Sequence, residues 1–284
     1  IKFFRKIYRA VMEDLLLLYK NSRIHYRCFG TGDKIGLCFH GYGQDKASFS
    51  FLEKYAGNDY RFYAIDLPFH GSSEWNEGLN FNTTDLLNIL QQIPGLMEQQ
   101  MTLIGFSLGG RVALSLYETI PARIERMILL APDGLKINFW YWLTTQTSLG
   151  NKLFSFTMKH PGWFFAFLKL INKAGLVNSS IFKFVNYYIG NNEVRSQLYD
   201  RWTAFRKLKP SLVNIKSEIR YHKTPVHLIY GKYDRIILPA RGKKFQKGIE
   251  NYCLLKIIHS GHQVLHENHI KEILPALLTT PGND

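Results

Sequence analysis

Ser107 lies in G-F-S-L-G-G, residues 105–110, which has the spacing of a nucleophile held at a sharp turn. The run Met101–Ile104 before it is apolar like a buried strand, and Leu108–Thr119 after it has a helical pattern. Glycine on both sides permits a strand-to-helix turn that exposes the serine hydroxyl. We therefore expect Ser107 to be a nucleophile. The alternative is a glycine-rich helix entry that only packs closely.

A serine hydroxyl needs a base, and the sequence H-S-G-H, residues 259–262, supplies two candidates. This segment follows the predicted strand Leu254–Ile258. His262 follows a glycine in a short loop, from which its ring can reach back to Ser107. His259 closes the strand itself and is the competing candidate. The sequence favours His262 as the base.

The imidazole in turn needs a carboxylate that fixes its tautomer and stabilises its charged form. Asp234 ends Y-G-K-Y-D, directly after the predicted strand Val226–Tyr230. Asp133, in A-P-D-G after the predicted strand Arg126–Leu130, is the alternative acid. The nucleophile, the base and Asp234 all fall at carboxyl ends of predicted strands, where open α/β sheets place their sites. Asp234 is therefore the favoured third member.

Two backbone N–H groups are candidates for stabilising the oxyanion that attack by Ser107 would form. The N–H of Leu108 begins the helix after the nucleophile, where the helix dipole also favours negative charge. The second candidate is the N–H of Tyr42 in H-G-Y-G, residues 40–43, which follows the third predicted strand. His40 is predicted to be a structural hydrogen-bonding residue.

These residues require a sheet that brings distant loops to one edge. Short apolar runs alternate with helical patterns, which is typical of an α/β fold with a mostly parallel sheet and helices on both faces. The eight predicted strands are Leu15–Tyr19, Arg23–Phe29, Ile35–Phe39, Arg61–Ile65, Met101–Ile104, Arg126–Leu130, Val226–Tyr230 and Leu254–Ile258. The predicted core helices are Phe49–Tyr55, Thr84–Gln92, Leu108–Thr119, Ala240–Gly248 and Asn268–Leu278.

The alternation fails between residues 135 and 222, where the composition becomes aromatic and basic. This segment holds 18 of the 41 aromatic residues and carries a net charge of +10 out of +14. Glycine and proline divide it into pieces of helical length. We interpret it as a helical cap inserted between the sixth and seventh strands. Residues 1–134 and 223–284 then form the two parts of the α/β core, and the second part carries the acid and the base.

The set H-G-Y-G, D-L-P-F-H-G-S-S, G-F-S-L-G-G-R, Y-G-K-Y-D-R-I and H-S-G-H resembles the capped α/β-hydrolase superfamily of the serine-hydrolase type. The motifs have the superfamily's order and cover nearly the whole chain apart from the insert. The resemblance implies that Ser107, Asp234 and His262 form a catalytic triad and that the two N–H groups above stabilise the oxyanion. One departure is Phe69, where the superfamily commonly has glycine, and it concerns the local shape of a loop.

The predicted activity is hydrolysis of a carboxylic ester or thioester through an acyl-enzyme intermediate, because the nucleophile is serine. The aromatic insert favours an apolar acyl substrate. The alternative is a C–C lyase or hydrolase acting on an anionic substrate, since G-F-S-L-G-G-R is similar to the elbow of the menaquinone-pathway synthase of this fold. In that alternative Arg111 binds the substrate. A non-catalytic binding protein is the third hypothesis.

We expect a small-molecule substrate, no cofactor and no metal, and no pair of the three cysteines has metal-ligand spacing. It also has no nucleic-acid-binding module. Three cysteines without a disulfide framework favour a reducing, cytoplasmic location. Residues 1–12 have the pattern of a basic amphipathic helix, which either packs against the domain or lies on a membrane. They and the basic insert are the candidates for peripheral membrane contact.

Overall fold

Eight strands form one sheet in the computed structural model, which describes residues 12–136, 139–173 and 189–279. All but the last residue of the predicted amphipathic segment 1–12 lie outside the described residues. The strands are β1 (Glu13–Tyr19), β2 (Ser22–Phe29), β3 (Lys34–Phe39), β4 (Tyr60–Ile65), β5 (Met101–Phe106), β6 (Ile124–Leu130), β7 (Val226–Gly231) and β8 (Cys253–Ile258).

The strand order in the sheet is β1-β2-β4-β3-β5-β6-β7-β8. β1 is antiparallel to β2 and β2 to β4, whereas every later pair is parallel. Every residue of β5 and of β7 is buried, so both faces of these strands are covered. In the parallel part, Phe106 pairs with Leu130 and Gly231 with Ile258. The loops that follow these residues therefore leave the same edge of the sheet.

The predicted eight-stranded, mostly parallel α/β sheet is confirmed. The described α-helices are α1 (Leu52–Ala56), α2 (Thr83–Leu90), α3 (Leu108–Thr119), α4 (Phe139–Gln146), α5 (Ser148–Lys159), α6 (Gly162–Lys173), α7 (Asn192–Ala204), α8 (Leu212–His222), α9 (Pro239–Gln246) and α10 (Ile270–Leu278). The short 3-10 helices are Lys46–Phe49, Leu96–Glu98, Pro121–Arg123, Phe205–Lys207, Glu250–Tyr252 and Glu267–His269.

Helices pack against the sheet in the way that its buried strands require. α3 contacts β3, β5 and β6, and both α2 and α8 contact α3. α9 contacts β7 and β8, while α10 contacts β7 and α1. The helix predicted over Phe49–Tyr55 is divided, because the side chain of Asp45 caps a 3-10 turn over Lys46–Phe49 and α1 starts only at Leu52. The three cysteines are free.

The chain divides into two compact units, and their boundary differs from that of the predicted insert. Within the described residues the second unit is 77–81, 139–173 and 189–207, and the first unit holds the rest. The predicted insert continues to residue 222, whereas α8 belongs to the first unit. α8 buries Ile215 and Ile219, and the backbone N–H of Ser211 before it donates to Glu118 of α3 over 2.9 Å.

The second unit has a small aromatic core of its own. Phe154 of α5 lies between Tyr199 and Trp202 of α7, with ring centroids 5.3 Å and 5.9 Å apart. The segment 77–81 joins this unit through Phe81, whose backbone N–H donates to the Ala204 carbonyl over 3.0 Å. Within the described residues, none of the helices combines the length and the apolar character that crossing a membrane requires.

A buried basic pair lies under the C-terminal helix of the first unit. The Arg126 guanidinium donates to the carbonyls of Ala276 and Leu277, the last turn of α10, over 2.9 Å and 2.6 Å. A cation at the C-terminal end of a helix is favourable, because the last carbonyls lack intrahelical partners and carry partial negative charge. His227 of β7 is buried near Arg126, and its Nε2 has no hydrogen-bond partner among the described residues. Burial, together with the Arg126 charge, lowers the pKa of His227 from 6.5 to about 4.

We expect His227→Gln to reduce the loss of stability in acid. The unfolded chain binds a proton on this residue below pH 6.5, whereas the folded protein binds one only near pH 4. The contribution of His227 to the free energy of unfolding is therefore present above pH 6.5 and is lost as the pH falls towards 4, by on the order of 3 kcal/mol. Urea unfolding of both proteins at pH 7 and pH 4.5, roughly the two ends of this range, measures the difference.

The matched control is His259→Gln, which removes an exposed imidazole next to β8. The comparison uses the pH dependence of the unfolding free energy and not its absolute value, since any substitution inside a strand changes packing. If His227→Gln leaves the acid-dependent loss as large as in the unsubstituted protein, His227 is not the group responsible.

Candidate active site

Ser107 occupies the turn between β5 and α3 in a backbone conformation that few residues adopt. Its φ is 49° and its ψ is −114°. Three backbone hydrogen bonds hold it: its N–H donates to Leu130 over 3.0 Å, and its carbonyl accepts from Gly110 over 2.9 Å and from Asp133 over 2.8 Å. The end of β6, the loop that follows it and the start of α3 thus hold the strained backbone of Ser107 in place.

Gly109 makes this turn sterically feasible. A Cβ atom at this position would lie 1.8 Å from the carbonyl oxygen of Phe39, the last residue of β3. Only glycine therefore lets α3 begin this close to the loop that follows β3. That loop contains Tyr42. The close packing at Gly109 therefore brings together the two chain segments that hold the predicted oxyanion donors, Leu108 and Tyr42.

The structure brings together the side chains of Ser107, His262 and Asp234. His262 Nε2 lies 3.0 Å from Ser107 Oγ, and His262 Nδ1 lies 2.7 Å from Asp234 Oδ2. Because a carboxylate only accepts hydrogen bonds, it selects the tautomer with the proton on Nδ1. Nε2 is then the acceptor for the serine O–H. The three groups form one hydrogen-bonded line.

Asp234 is a buried carboxylate with fixed orientation. Its Oδ1 accepts from the backbone N–H groups of Ile236 and Ile237 over 2.8 Å and 2.9 Å, which leaves Oδ2 directed at His262. Its side chain has no solvent exposure, whereas that of His262 is 19% exposed. The buried Asp234 carboxylate thus holds the His262 imidazole at Nδ1, while part of the imidazole remains accessible to solvent.

Backbone hydrogen bonds join the loop of the acid to the loop of the base. The N–H groups of Lys232 and Tyr233 donate to the carbonyls of Ile258 and Ser260, over 2.8 Å and 2.9 Å. These contacts continue the pairing of β7 with β8 past the ends of the strands. The separation between Asp234 and His262 is therefore set by main-chain geometry.

Asp133, the alternative acid, has a different partner. Its Oδ2 accepts a hydrogen bond from the Arg111 guanidinium, and its Oδ1 accepts one from the Gly134 N–H over 2.7 Å. Arg111 lies one helical turn after Ser107 on α3 and is buried, with its side chain 7% exposed. This ion pair supports the loop whose Asp133 N–H holds the Ser107 carbonyl. Sequence reasoning assigned these two residues to unrelated roles and missed that they bind each other.

The other histidines considered from sequence lie elsewhere. His259 is exposed beside Tyr233, with ring centroids 5.9 Å apart. His40 is buried, and both of its ring nitrogens contact the backbone: Nε2 accepts from the Leu67 N–H over 3.0 Å and Nδ1 lies 2.8 Å from the Gly41 carbonyl. His40 thus has the predicted structural role, and it links the loops after β3 and β4.

Local contacts hold the loop after β3 close to the turn between β5 and α3. Gln44 closes it, since its side chain accepts from the Gly41 N–H over 3.1 Å and its own N–H donates to the Gly41 carbonyl over 3.2 Å. A Cβ at Gly41 would lie 2.7 Å from the ring of Phe106, the residue before the nucleophile. The backbone that carries Tyr42 therefore packs directly on the strand that carries Ser107.

Phe69 occupies a left-handed backbone conformation, with a φ of 62°. Glycine adopts such a conformation without strain, which explains why a glycine is common at this position, whereas a side chain costs roughly 1–2 kcal/mol. The turn is kept by Asp66, which accepts hydrogen bonds from the Lys46 ammonium over 2.8 Å and from the Ser72 N–H over 2.9 Å. This buried ion pair is a second feature that sequence reasoning missed.

Among the described residues, no group of three or more His, Cys, Asp or Glu side chains is arranged to hold a metal ion. At the sheet edge, the His262 ring contacts the Ser107 hydroxyl, the Asp234 carboxylate contacts the ring, and α3 begins directly after Ser107. An arrangement of this kind can activate a serine hydroxyl.

Comparison with known proteins agrees with this architecture. A family profile described as alpha/beta hydrolase fold matches residues 37–269. The chain is 34% identical over 103 residues to a pimeloyl-[acyl-carrier protein] methyl ester esterase of Aeromonas salmonicida, a match that covers 36% of this chain and 39% of that protein. It is 35% identical over 106 residues to a Bacillus subtilis protein provisionally named 2-succinyl-6-hydroxy-2,4-cyclohexadiene-1-carboxylate synthase, covering 35% of this chain and 37% of that one. Each match therefore spans less than two thirds of the relative's length.

Among solved structures, the fold is similar to the thioesterase domain from the curacin biosynthetic pathway. The TM-score is 0.62 at 16% sequence identity, and the match covers 94% of this chain and 99% of that chain. At this level of identity the similarity concerns the fold.

We expect the Arg111–Asp133 ion pair to stabilise the first unit in a coupled way. Asp133→Asn leaves a buried guanidinium without its counter-charge and should lower the free energy of unfolding by roughly 2–3 kcal/mol. Arg111→Met on its own should cost less, because Asp133 is 24% exposed and water can solvate it. Urea unfolding of both single variants and of the double variant measures the interaction.

The double variant should be more stable than the sum of the two single losses implies, by about 1–2 kcal/mol, since neither charge is then left alone. Strictly additive losses would mean that the two side chains do not stabilise each other.

Proposed function

The chain belongs to the α/β-hydrolase-fold family, and on this premise we propose that it is a serine hydrolase that cleaves a carboxylic ester or thioester through an acyl-enzyme intermediate. The observation that carries the proposal is the hydrogen-bonded line from Asp234 through His262 to Ser107. All three residues, and both oxyanion candidates, belong to the first unit.

In the first half of the reaction, Ser107 Oγ attacks the carbonyl carbon of the substrate while His262 Nε2 takes the hydroxyl proton. The Asp234 carboxylate stabilises the imidazolium that this creates. The tetrahedral intermediate then collapses, the bond from the carbonyl carbon to the leaving oxygen or sulfur breaks, and His262 returns the proton to the leaving group. The products of this half are a free alcohol or thiol and an acyl ester on Ser107.

The negative oxygen of the tetrahedral intermediate requires donors that are already in position. Under this proposal they are the N–H of Leu108, one of the first helical N–H groups of α3 that lack intrahelical partners, and the N–H of Tyr42. The N-terminal end of α3 adds its dipole to the first donor. Each donor is worth on the order of 3 kcal/mol in the transition state.

Water completes the reaction, and the same groups now act on the attacking water and on the ester bond to Ser107. His262 accepts a proton from the attacking water, the oxygen adds to the acyl carbon, and the ester bond to Ser107 breaks with return of the proton to Oγ. The enzyme is regenerated and a carboxylic acid is released. This cycle needs no group beyond the side chains and N–H groups named here.

Two lines of support bear on the substrate. The relative in Aeromonas salmonicida is named as a methyl ester esterase of an acyl group on a carrier protein, and the structural neighbour is named as a thioesterase domain. The aromatic composition of the second unit favours an apolar acyl group. The free cysteines are in keeping with a cytoplasmic enzyme acting on a small molecule.

A C–C lyase acting on an anionic substrate is the second candidate, and the Bacillus subtilis relative is the observation in its favour. Its proposed substrate ligand, Arg111, is however buried and bound to Asp133. An arginine already paired in this way offers less to a substrate carboxylate. We therefore place ester hydrolysis first.

We expect the protein to hydrolyse p-nitrophenyl esters and Ser107→Ala to lose this activity by at least about 10⁴-fold, because no other group supplies the attacking oxygen. A series of esters of increasing chain length, with release of p-nitrophenolate as the measurement, reports the rate and the acyl preference. The same variant should lose covalent labelling by a fluorophosphonate, which reacts with an activated serine.

Ser115→Ala is the matched control, because it removes a buried hydroxyl from the same helix as the nucleophile and should keep full turnover. Unchanged ester hydrolysis in Ser107→Ala would mean that the nucleophile is misassigned. Rapid labelling of Ser107 without turnover of any ester would favour the lyase, and the absence of both would favour a binding protein.

A further inference from the structure

Two neighbouring helices of the second unit expose apolar side chains in the same pattern. On α5 these are Leu149, Leu153 and Phe156, and on α6 they are Trp163, Phe167 and Leu170. Both sets have the spacing i, i+4, i+7, which places three side chains in one stripe along a helix. Their exposed fractions run from 40% for Trp163 to 80% for Leu149. We call these six residues the α5–α6 surface.

The stripes are separate from the faces that bind the helices to their own unit. Phe154 and Leu168, which follow the middle residue of each stripe by one position, are buried. On each helix the buried residue therefore lies on a different face from the exposed apolar stripe. α4 also exposes two apolar side chains, Phe139 and Trp142, whose rings stack with centroids 6.2 Å apart.

The two stripes meet at an open depression of about 680 Å³ in the turn between the helices. Its lining combines the last stripe residue of α5, Phe156, and the first of α6, Trp163, with Lys159, His160, Pro161 and Gly162. One lysine and two aromatic residues thus share the lining of this depression.

The charge around this surface has one sign. From Gly134 to Asn192 the chain contains six lysines and no aspartate, glutamate or arginine. Lys152, Lys159 and Lys169 are exposed on the two helices themselves. On α5, Lys152 and Lys159 flank the apolar stripe on one side by helical geometry. A surface of this kind attracts an anionic partner and repels a second copy of itself.

We propose that the α5–α6 surface docks on an anionic phospholipid bilayer. Tryptophan, phenylalanine and leucine beside lysine are the combination that lies in the headgroup region, with the apolar side chains in the acyl boundary and the ammonium groups at the phosphates. Interfaces between proteins are instead depleted of lysine. The proposal goes beyond ester hydrolysis and does not rest on it.

The test is flotation of the whole protein with vesicles. We expect it to float with vesicles made of equal parts phosphatidylcholine and phosphatidylglycerol, to float poorly with phosphatidylcholine alone, and to be released as salt is raised. Ser107→Ala should float as well as the unsubstituted protein, so that a failure of the proposed catalysis and a failure of the docking surface are seen separately.

The apolar contribution is measured with Leu153→Glu and Phe167→Glu, one on each stripe. Each should weaken binding to the mixed vesicles by about tenfold or more. The matched control is Val213→Glu, which adds the same charge at an exposed apolar residue of α8 in the first unit. It should bind as the unsubstituted protein does. Thermal unfolding of all three proteins checks that each is folded.

The lysine contribution is measured with the double variant Lys152→Gln plus Lys159→Gln, which should lose about fivefold in affinity for each lysine. Its control, Lys243→Gln plus Lys244→Gln, removes the same charge from exposed positions on α9 in the first unit. Equal losses in the two double variants would mean that total charge, and not this surface, drives binding.

Three further results would overturn the proposal. The first is that the unsubstituted protein does not float with anionic vesicles. The second is that binding survives all of the α5 and α6 substitutions, which would move the contact to another segment such as residues 1–12. The third is that the protein is a dimer by sedimentation equilibrium, does not float, and becomes a monomer in Phe167→Glu, which would assign the surface to a second copy of the chain.

Discussion

The strained backbone at Ser107 is the constraint on which the rest of the site depends. A residue with a positive φ between a buried strand and a helix is held there by hydrogen bonds to Leu130, Gly110 and Asp133. Together these bonds oppose relaxation of the turn towards an ordinary helix start. The buried pair of Arg111 with Asp133 and the absence of a side chain at Gly109 therefore act on the backbone of Ser107 and not on its hydroxyl.

The sheet brings the constrained serine together with the other two residues of the site. Because β5, β6, β7 and β8 are parallel neighbours, the loops that carry the serine, the acid and the base leave one edge. Main-chain hydrogen bonds join the loop of the acid to the loop of the base, so the position of Asp234 relative to His262 is fixed by the backbone. The contact from His262 to Ser107 bridges separate parts of the edge, and the ring of Phe106 lies beside that of His262, with centroids 5.3 Å apart.

Sequence patterns predicted the sheet and the meeting of Ser107, His262 and Asp234, because motif spacing and strand ends are local properties. They did not predict the end of the insert. α8 has the basic helical composition of the insert, and only the burial of Ile215 and Ile219 against the first unit assigns it to the core. The pairing of Arg111 with Asp133 was also missed, since it joins residues on either side of β6 and depends on three-dimensional packing. The apolar stripes of α5 and α6 were visible as aromatic composition, but whether such side chains form a core or a surface is decided by exposure.

Proton NMR of the His262 Nδ1–H tests the central claim most directly. With histidine labelled by ¹⁵N, a proton held between an imidazole and a buried carboxylate gives a resonance far downfield of ordinary amides. We predict one such resonance that is absent in His262→Gln, is lost or moved upfield in Asp234→Asn, and is kept in Asp133→Asn. A downfield resonance that survives Asp234→Asn and disappears in Asp133→Asn, or no His262-dependent resonance at all, would contradict the account.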